Sequence, residues 1–301
     1  MKATEVVAVM VAPVLGGERV AAVQQLVDGR TNTTLRVTPT GGGADLLLRI
    51  TRGSRGARDR EVALLEVVRA AGAVPVPEVL HRGDLPRPFV VSRWIDGTTL
   101  DDARARLPAA IVATVAEPLG EVVARVAQVV VPEGLLGRSD SGVAIALAER
   151  RLGEDPVRDR LGAATADALR ALLERVGPRL RTDEPPHLVH GDLGGRNLLV
   201  RADRERCWIA GLIDWELAFR GSGLWDAGSV LRSASGAAAT FREDFARGYR
   251  RAGGALPDDW VHEARLLDAT RAIATLASPR ASSRALADCR ATLAALVADE
   301  G

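Results

Sequence analysis

One stretch of the chain carries residue types and a spacing that can do chemistry. It reads His190-Gly191-Asp192-Leu193-Gly194-Gly195-Arg196-Asn197-Leu198-Leu199-Val200. Asp192 and Asn197 stand five residues apart, and seventeen residues beyond Asn197 comes Gly211-Leu212-Ile213-Asp214-Trp215-Glu216. A carboxylate on a glycine-flanked loop can orient an attacking hydroxyl and take its proton. A carboxamide oxygen and a second carboxylate are hard donors of the kind Mg²⁺ accepts, while phosphate and water fill its remaining positions. Together the three residue types point to phosphoryl transfer onto a hydroxyl. Each also has a plainer reading when taken alone: Asp192 as the cap of a turn, Asp214 as a paired core carboxylate. His187 and His190 have no Cys or His cluster around them to suggest a metal, and His190 is expected to hold the loop through backbone hydrogen bonds.

The loop needs strands on either side to aim it. Leu188-Val189, Asn197–Val200 and Trp208–Ile213 read as such a β island. Upstream, Arg19–Ile50 has β texture: Val20–Val27, an Asp28-Gly29-Arg30 turn signal, an alternating run Thr33–Val37, a Gly41-Gly42-Gly43 turn and a buried strand Leu46–Ile50. Val62, Leu65, Val68 and Ala71 recur at helical spacing, so Ala57–Gly72 reads as a helix stopped by Gly72, and Pro75 and Pro77 forbid its continuation. Glu78–His81 and Pro88–Trp94 follow as strands. Val6–Leu15, interrupted by Pro13, reads as an N-terminal helix or strand of the domain rather than a signal peptide. After Gly97 the texture is helical over Asp101–Arg106, Ala109–Val131, Val143–Gly153 and Thr165–Leu180, with breaks at 131–134 and at Asp155-Pro156, and helical stripes return from Leu224 onward. A β-rich first third and a helix-rich remainder make a bilobal α+β pattern.

Composition narrows the classes. The chain has 301 residues, 47% hydrophobic and 26% charged, with a formal charge of +1, which disfavours a dedicated nucleic-acid binder. No apolar run approaches the roughly 20 residues of a membrane span. Cys207 and Cys289 are too few for a disulfide framework or a zinc cage and read as buried thiols of a cytoplasmic protein. Lys2 is the single lysine, so any internal cation must be Arg or His.

With the motifs in this order, the chain resembles the aminoglycoside phosphotransferase and choline-kinase-like family, small-molecule kinases with a protein-kinase-like fold. The Asp192–Asn197 spacing is that of the kinase H-R-D-x-x-x-x-N loop. His190–Val200 looks like the family's H-G-D-x-x-x-x-N loop and Leu212–Glu216 like its I-D-W-E motif. Val74–Leu80 looks like its V-P-V-P-x-V-L stretch, and Val90–Gly97 like its inter-lobe hinge. The resemblance implies a small five-stranded antiparallel N-terminal lobe with one helix, residues 1–95, a hinge at about 92–97, and a larger, mostly helical lobe, 96–301, with Trp215 packed between them. It implies Asp192 as the base and Asn197 and Asp214 as metal ligands. Arg49 takes the place of a phosphate-holding Lys and should pair with Glu61, or failing that Glu66, on the following helix. Gly29, Thr31 and Asn32 fall where the family positions nucleotide, although a plain hairpin turn is the alternative there; Ser92 and Trp94 belong to the hinge side of the same nucleotide site. The cofactor implied is Mg²⁺, with ATP, or GTP in its place, as donor.

The chain departs from the family pattern in two places. Gly194-Gly195-Arg196 stands where H-P-G is common. Arg196 either swings in to neutralise charge on the transferring phosphoryl group or points to solvent. Gly221-Ser222-Gly223 replaces G-D-P ahead of Asp226, which matches a later Asp in loop and helix-start structure. From Ser222 onward ten acidic residues face ten Arg, which gives no acidic funnel for a polycation and leaves a less basic natural product, such as a peptide or nucleoside antibiotic, at least as well favoured. The function implied is Mg-dependent transfer of a nucleotide γ-phosphate to a hydroxyl of a small molecule, an antibiotic first. A metabolic kinase for an alcohol, amino alcohol or sugar is the alternative, and a non-catalytic nucleotide-binding module a remote one. A protein kinase is disfavoured because no A-P-E closure follows Asp214. A monomer is expected, with a nucleotide triphosphate and a small-molecule acceptor as its partners and neither nucleic acid nor membrane.

Overall fold

The computed structural model describes residues 3–26, 32–180, 186–233 and 240–300. In chain order its elements begin with α1 (Ala3–Val11), β1 (Val20–Gln25), β2 (Asn32–Pro39), β3 (Leu46–Thr51), α2 (Arg55–Ala71), β4 (Val79–Gly83), β5 (Phe89–Arg93) and β6 (Thr98–Thr99). Six helices follow: α3 (Leu100–Arg106), α4 (Ala109–Ala113), α5 (Ala116–Ala127), α6 (Ser141–Arg151), α7 (Asp155–Leu161) and α8 (Ala163–Val176). Then come β7 (His187–Val189), β8 (Leu198–Ala202), β9 (Cys207–Leu212), β10 (Phe219–Gly221), α9 (Leu224–Ser233), α10 (Phe241–Arg251), α11 (Trp260–Ala277) and α12 (Ser283–Glu300). Two compact units result: Met1–Val112 with Val131–Leu136 and Arg196–Leu217, and Ala113–Val130 with Gly137–Gly195 and Ala218–Gly301.

In the first unit, five strands form one antiparallel sheet in the order β1-β2-β3-β5-β4. Alternation along the strands puts Leu35, Val37, Leu46, Leu48, Phe89 and Val91 into one apolar cluster. Val7, Met10 and Val11 of α1 close that cluster. The expectation of one helix beside the strands is therefore corrected: α1 is a second, because its apolar residues recur at helical spacing and cover the sheet. The other helix, α2, starts at Ser54, whose hydroxyl accepts the Ala57 N–H at 3.2 Å, and ends at Gly72 in the left-handed conformation (φ 63°), as its sequence predicts. A smaller antiparallel sheet, β6-β8-β9, completes the unit. β6, only two residues long, gives no period to read.

Helices dominate the second unit. The expected continuous helix over Ala109–Val131 is broken into α4, nearly all of which belongs to the first unit, and α5 of the second, since the Pro118 ring denies the ladder a donor to the carbonyl four residues back. Asp155-Pro156, expected as a break, instead opens α7, with Pro in its first turn where no donor is needed. α9 and α11 touch backbone to backbone: a Cβ on Gly228 would lie 2.1 Å from the Ala264 carbonyl oxygen. β7 and β10 pair antiparallel, Val189 opposite Phe219. Among the described residues no helix is long and apolar enough to cross a membrane.

Candidate active site

Arg49 lies on β3 between Thr34 of β2 and Val90 of β5. Leu46 and Leu48 face the α1 cluster, so strand alternation turns Arg49 to the other face of the sheet. There its Nη2 pairs with the buried Glu61 of α2, and its Nη1 lies 3.7 Å from Asp214 Oδ1. Burial alone would pull the guanidinium pKa down; Glu61, then Asp214 and Glu216, outweigh it and hold the pKa above its ordinary value. The Glu61 partnership expected from the sequence is thus formed, while Glu66 lies on the exposed side of α2.

The β8–β9 hairpin positions the two proposed metal ligands. Leu198 pairs with Leu212, and the Ile213 N–H donates to the Asn197 carbonyl at 2.9 Å, so Asn197 enters one strand where Asp214 leaves the other. Asn197 is buried. Asp214 is the one described non-glycine residue with positive φ (66°), a conformation Asp tolerates better than most and one that concentrates at functional sites. Trp215, fully buried, anchors the turn by donating its indole N–H to the Leu212 carbonyl at 3.2 Å.

Asn32 opens β2 and is buried. Its Nδ2 donates to Glu216 Oε2 at 3.3 Å, and its Oδ1 has no hydrogen-bond partner among the described residues. Glu216 lies 184 residues away in sequence and was not singled out there. Gly29 and Thr31 lie outside the described residues. Ser92 is buried on β5. Trp94 donates its indole N–H to Asp96 at 2.9 Å, and the Arg36 guanidinium lies 4.5 Å from its ring centre.

The loop with Asp192 belongs to the second unit and is held by its own partners. Asp226, in the first turn of α9, is buried and accepts two backbone N–H groups: His190 at 2.7 Å on Oδ2 and Gly191 at 3.0 Å on Oδ1. Gly191 takes φ +81°, which brings the two amides round to one carboxylate. The buried His190 ring accepts the Asp192 N–H on Nδ1 at 3.2 Å, the loop-holding role expected of it. Burial is the largest influence on Asp226 and pushes its pKa up to about 6; the two amides and Arg271 act against that, and Asp192 with it. Asp192 Oδ1 lies 3.7 Å from a guanidinium nitrogen of Arg271 on α11. Neighbouring Arg232 is fixed by Asp268, Nε to Oδ2 at 2.7 Å. Arg196 is exposed. Sequence reading noticed Asp226 without its clamping role and missed Arg271 altogether, because 79 residues and no motif separate it from Asp192.

As to metal, no group of three His, Cys, Asp or Glu residues among the described residues is placed to hold an ion. The oxygen donors at hand are the Asp214 carboxylate and Asn197, beside a cluster where Glu61, Asp214 and Glu216 outnumber Arg49. A sparse, hard, net-negative set of this kind fits Mg²⁺, which uses one or two carboxylates and completes its shell from phosphate and water.

Comparison with known proteins bears on the family and the fold. The APH family model, described as the phosphotransferase enzyme family, matches residues 22–264. No curated protein is similar enough in sequence to match. Among solved structures, the GDP complex of aminoglycoside 2'-phosphotransferase-IIIa is 18% identical with a TM-score of 0.79, covering 100% of both chains. The GDP and kanamycin complex of APH(2")-IIIa is 20% identical with a TM-score of 0.76, covering 97% of this chain and 98% of that one. The macrolide 2'-phosphotransferase MphH from Brachybacterium faecium is 16% identical with a TM-score of 0.68, covering 96% and 98%. At such identities these likenesses speak for the fold, a mixed α/β fold with a five-stranded antiparallel sheet. The family match spans most of the chain and includes the Asp192 loop and Asp214, and the chain belongs to the phosphotransferase enzyme family.

Proposed function

We propose that the protein transfers the γ-phosphate of ATP or GTP to a hydroxyl of a small-molecule antibiotic, in the cytoplasm. The observation that carries this reading is the ionic group around Arg49: one guanidinium locked by buried Glu61 and facing Asp214, with Asn197 at the root of the same hairpin. In this reading Arg49 holds donor phosphate oxygens while Glu61 fixes its fork. Asn197 and Asp214 would hold Mg²⁺, which when bound supplies charge neutralisation at the phosphates. Asp192 orients the acceptor hydroxyl and accepts its proton as the new O–P bond forms and the bond from phosphorus to the leaving diphosphate breaks. His190 and Asp226 keep the Asp192 loop rigid enough for that positioning to count. The antibiotic class draws support from family membership and from the kanamycin-bound and macrolide enzymes that share the fold.

The test is nucleotide-diphosphate release, coupled to a reporter, across antibiotic classes, choline-like alcohols and sugars. We expect one antibiotic class to stimulate release, and Asp192→Asn to lower kcat by at least about 10²-fold with nucleotide affinity little changed, the usual share of a positioned acid–base group. Stimulation by a metabolic alcohol or sugar instead would replace the antibiotic reading. Turnover that survives Asp192→Asn would remove the mechanism.

A further inference from the structure

Several arginines of the second unit are tied to fixed acceptors. Arg232 is tied to Asp268 and Ser229, Arg160 to the carbonyls of Leu276 and Ser278, and Arg247 and Arg251 to Glu117. The Arg271 guanidinium makes no hydrogen bond among the described residues. Among the described residues its one ion-pair contact is Asp192, at 3.7 Å, beyond hydrogen-bond length. Its Nη1 is shut off from solvent with no acceptor among the described residues, yet the side chain as a whole is 28% exposed. A charged fork stripped of part of its water and given no acceptor in return is a group built to receive one. Asp192 Oδ1, at 3.7 Å, is too distant to serve as that hydrogen-bond acceptor.

We propose that Arg271 is the residue that recognises the acceptor and that it takes an oxyanion, a carboxylate or phosphate group carried near the reacting hydroxyl. This rests on the reading of Asp192 as the base of a small-molecule kinase. The planar guanidinium matches such a group with two parallel N–H donors. The local charge agrees. Asp268 is neutralised by Arg232, and Asp226 is spent on the His190 and Gly191 amides, so the carboxylates around Asp192 offer little to a polycation. The acceptor is accordingly anionic or zwitterionic, in contrast to a polycationic aminoglycoside. Arg271 is a specificity residue that meets the acceptor and leaves the donor alone.

The experiment compares acceptors that share a skeleton and differ in charge: glucuronic acid, glucose 6-phosphate, glucose and glucosamine, beside kanamycin and carboxylate-bearing peptide antibiotics. The full-length protein and its Arg271→Gln, Arg271→Lys and Arg271→Glu variants are assayed. We expect the best acceptor to carry an oxyanion. Arg271→Gln should raise KM for that acceptor about tenfold or more, the loss of a charged hydrogen-bonded pair, with nucleotide KM unchanged and kcat within about threefold. Arg271→Lys should recover part of the loss and Arg271→Glu should move preference toward the amine. The carboxylate and phosphate arms tell which oxyanion is taken. A best acceptor without an anion, or a kcat loss at unchanged KM, overturns the proposal and leaves the kinase reading standing. Absence of any Asp192-dependent turnover overturns both. An unchanged nucleotide KM rules out misfolding as the cause of an acceptor effect.

Discussion

Replacing Asp226 by Asn should change how stability depends on pH. Asp226 is buried, accepts the His190 and Gly191 amides, and has its pKa pushed from 3.8 to about 6, chiefly by burial. A carboxyl with a raised folded-state pKa binds its proton more tightly folded than unfolded. Its contribution to stability is therefore greatest below about pH 4, declines as pH rises from 3.8 to about 6, and is flat above. A shift of about two units at roughly 1.4 kcal/mol each makes this decline about 3 kcal/mol. Asn cannot titrate, so the variant lacks it. Its single carbonyl can serve only one of the two amides and its own NH₂ faces the other, at a pH-independent cost of about 1–3 kcal/mol for a buried unsatisfied donor. Urea denaturation of both proteins at pH 4, 5, 6 and 7 measures the difference directly. The stability of the parent relative to the variant should fall by about 2.4 kcal/mol between pH 4 and 7, the part of that decline lying inside the window. Carboxylates remote from Asp226 contribute equally to both proteins and cancel. Parallel stability curves across that range would refute the reasoning.

Three further substitutions test the other parts of the site. Asp214→Ala should abolish the Mg²⁺ dependence of ATP binding in calorimetric titration, because it removes the charged oxygen ligand; unchanged affinity and Mg²⁺ dependence would place the metal elsewhere. Glu61→Gln leaves Arg49, 15% exposed, with Asp214 at 3.7 Å as its nearest remaining carboxylate of that pair. It should cost about 3 kcal/mol of stability, the low end for breaking a buried pair, and raise nucleotide KM, with acceptor KM as the control. Arg196→Ala distinguishes the two readings of that residue: a kcat loss of about tenfold at unchanged KM marks a transition-state contact, and a change within about twofold marks a surface side chain.

What the sequence made legible were the features written in local periodicity or local chemistry. The buried-strand texture of Leu46–Ile50 and the three-residue spacing of Val62, Leu65, Val68 and Ala71 made β3 and α2 legible, while the partnership of Arg49 with Glu61, which is formed, followed from the family resemblance. The β8–β9 hairpin was legible for the same reason. Elements of two or three residues, β6 and β10, are too short to carry a period, and they exist only because a neighbouring strand offers an edge. Pro118 and Pro156 are instructive together: the same residue type divides one expected helix and begins another, according to whether the preceding turn needs its missing N–H. Contacts such as Asn32 with Glu216 and Arg271 with Asp192 join residues far apart in the chain and leave no trace in spacing.

The choice of guanidinium over amine at Arg49 reaches beyond geometry. Its carboxylate neighbours lift an already very basic group further, so no alkaline condition that leaves the chain folded removes its charge. An ammonium in that seat would deprotonate on the alkaline side and give nucleotide affinity a basic limb. It would also be a nucleophile for acylating reagents. Arg49 is neither a titrating switch nor a nucleophile toward such reagents. With Arg49 in its proposed role at the donor phosphates, nucleotide affinity should stay level as pH climbs through the range where amines lose their protons, and covalent probes aimed at an amine there should find nothing to modify.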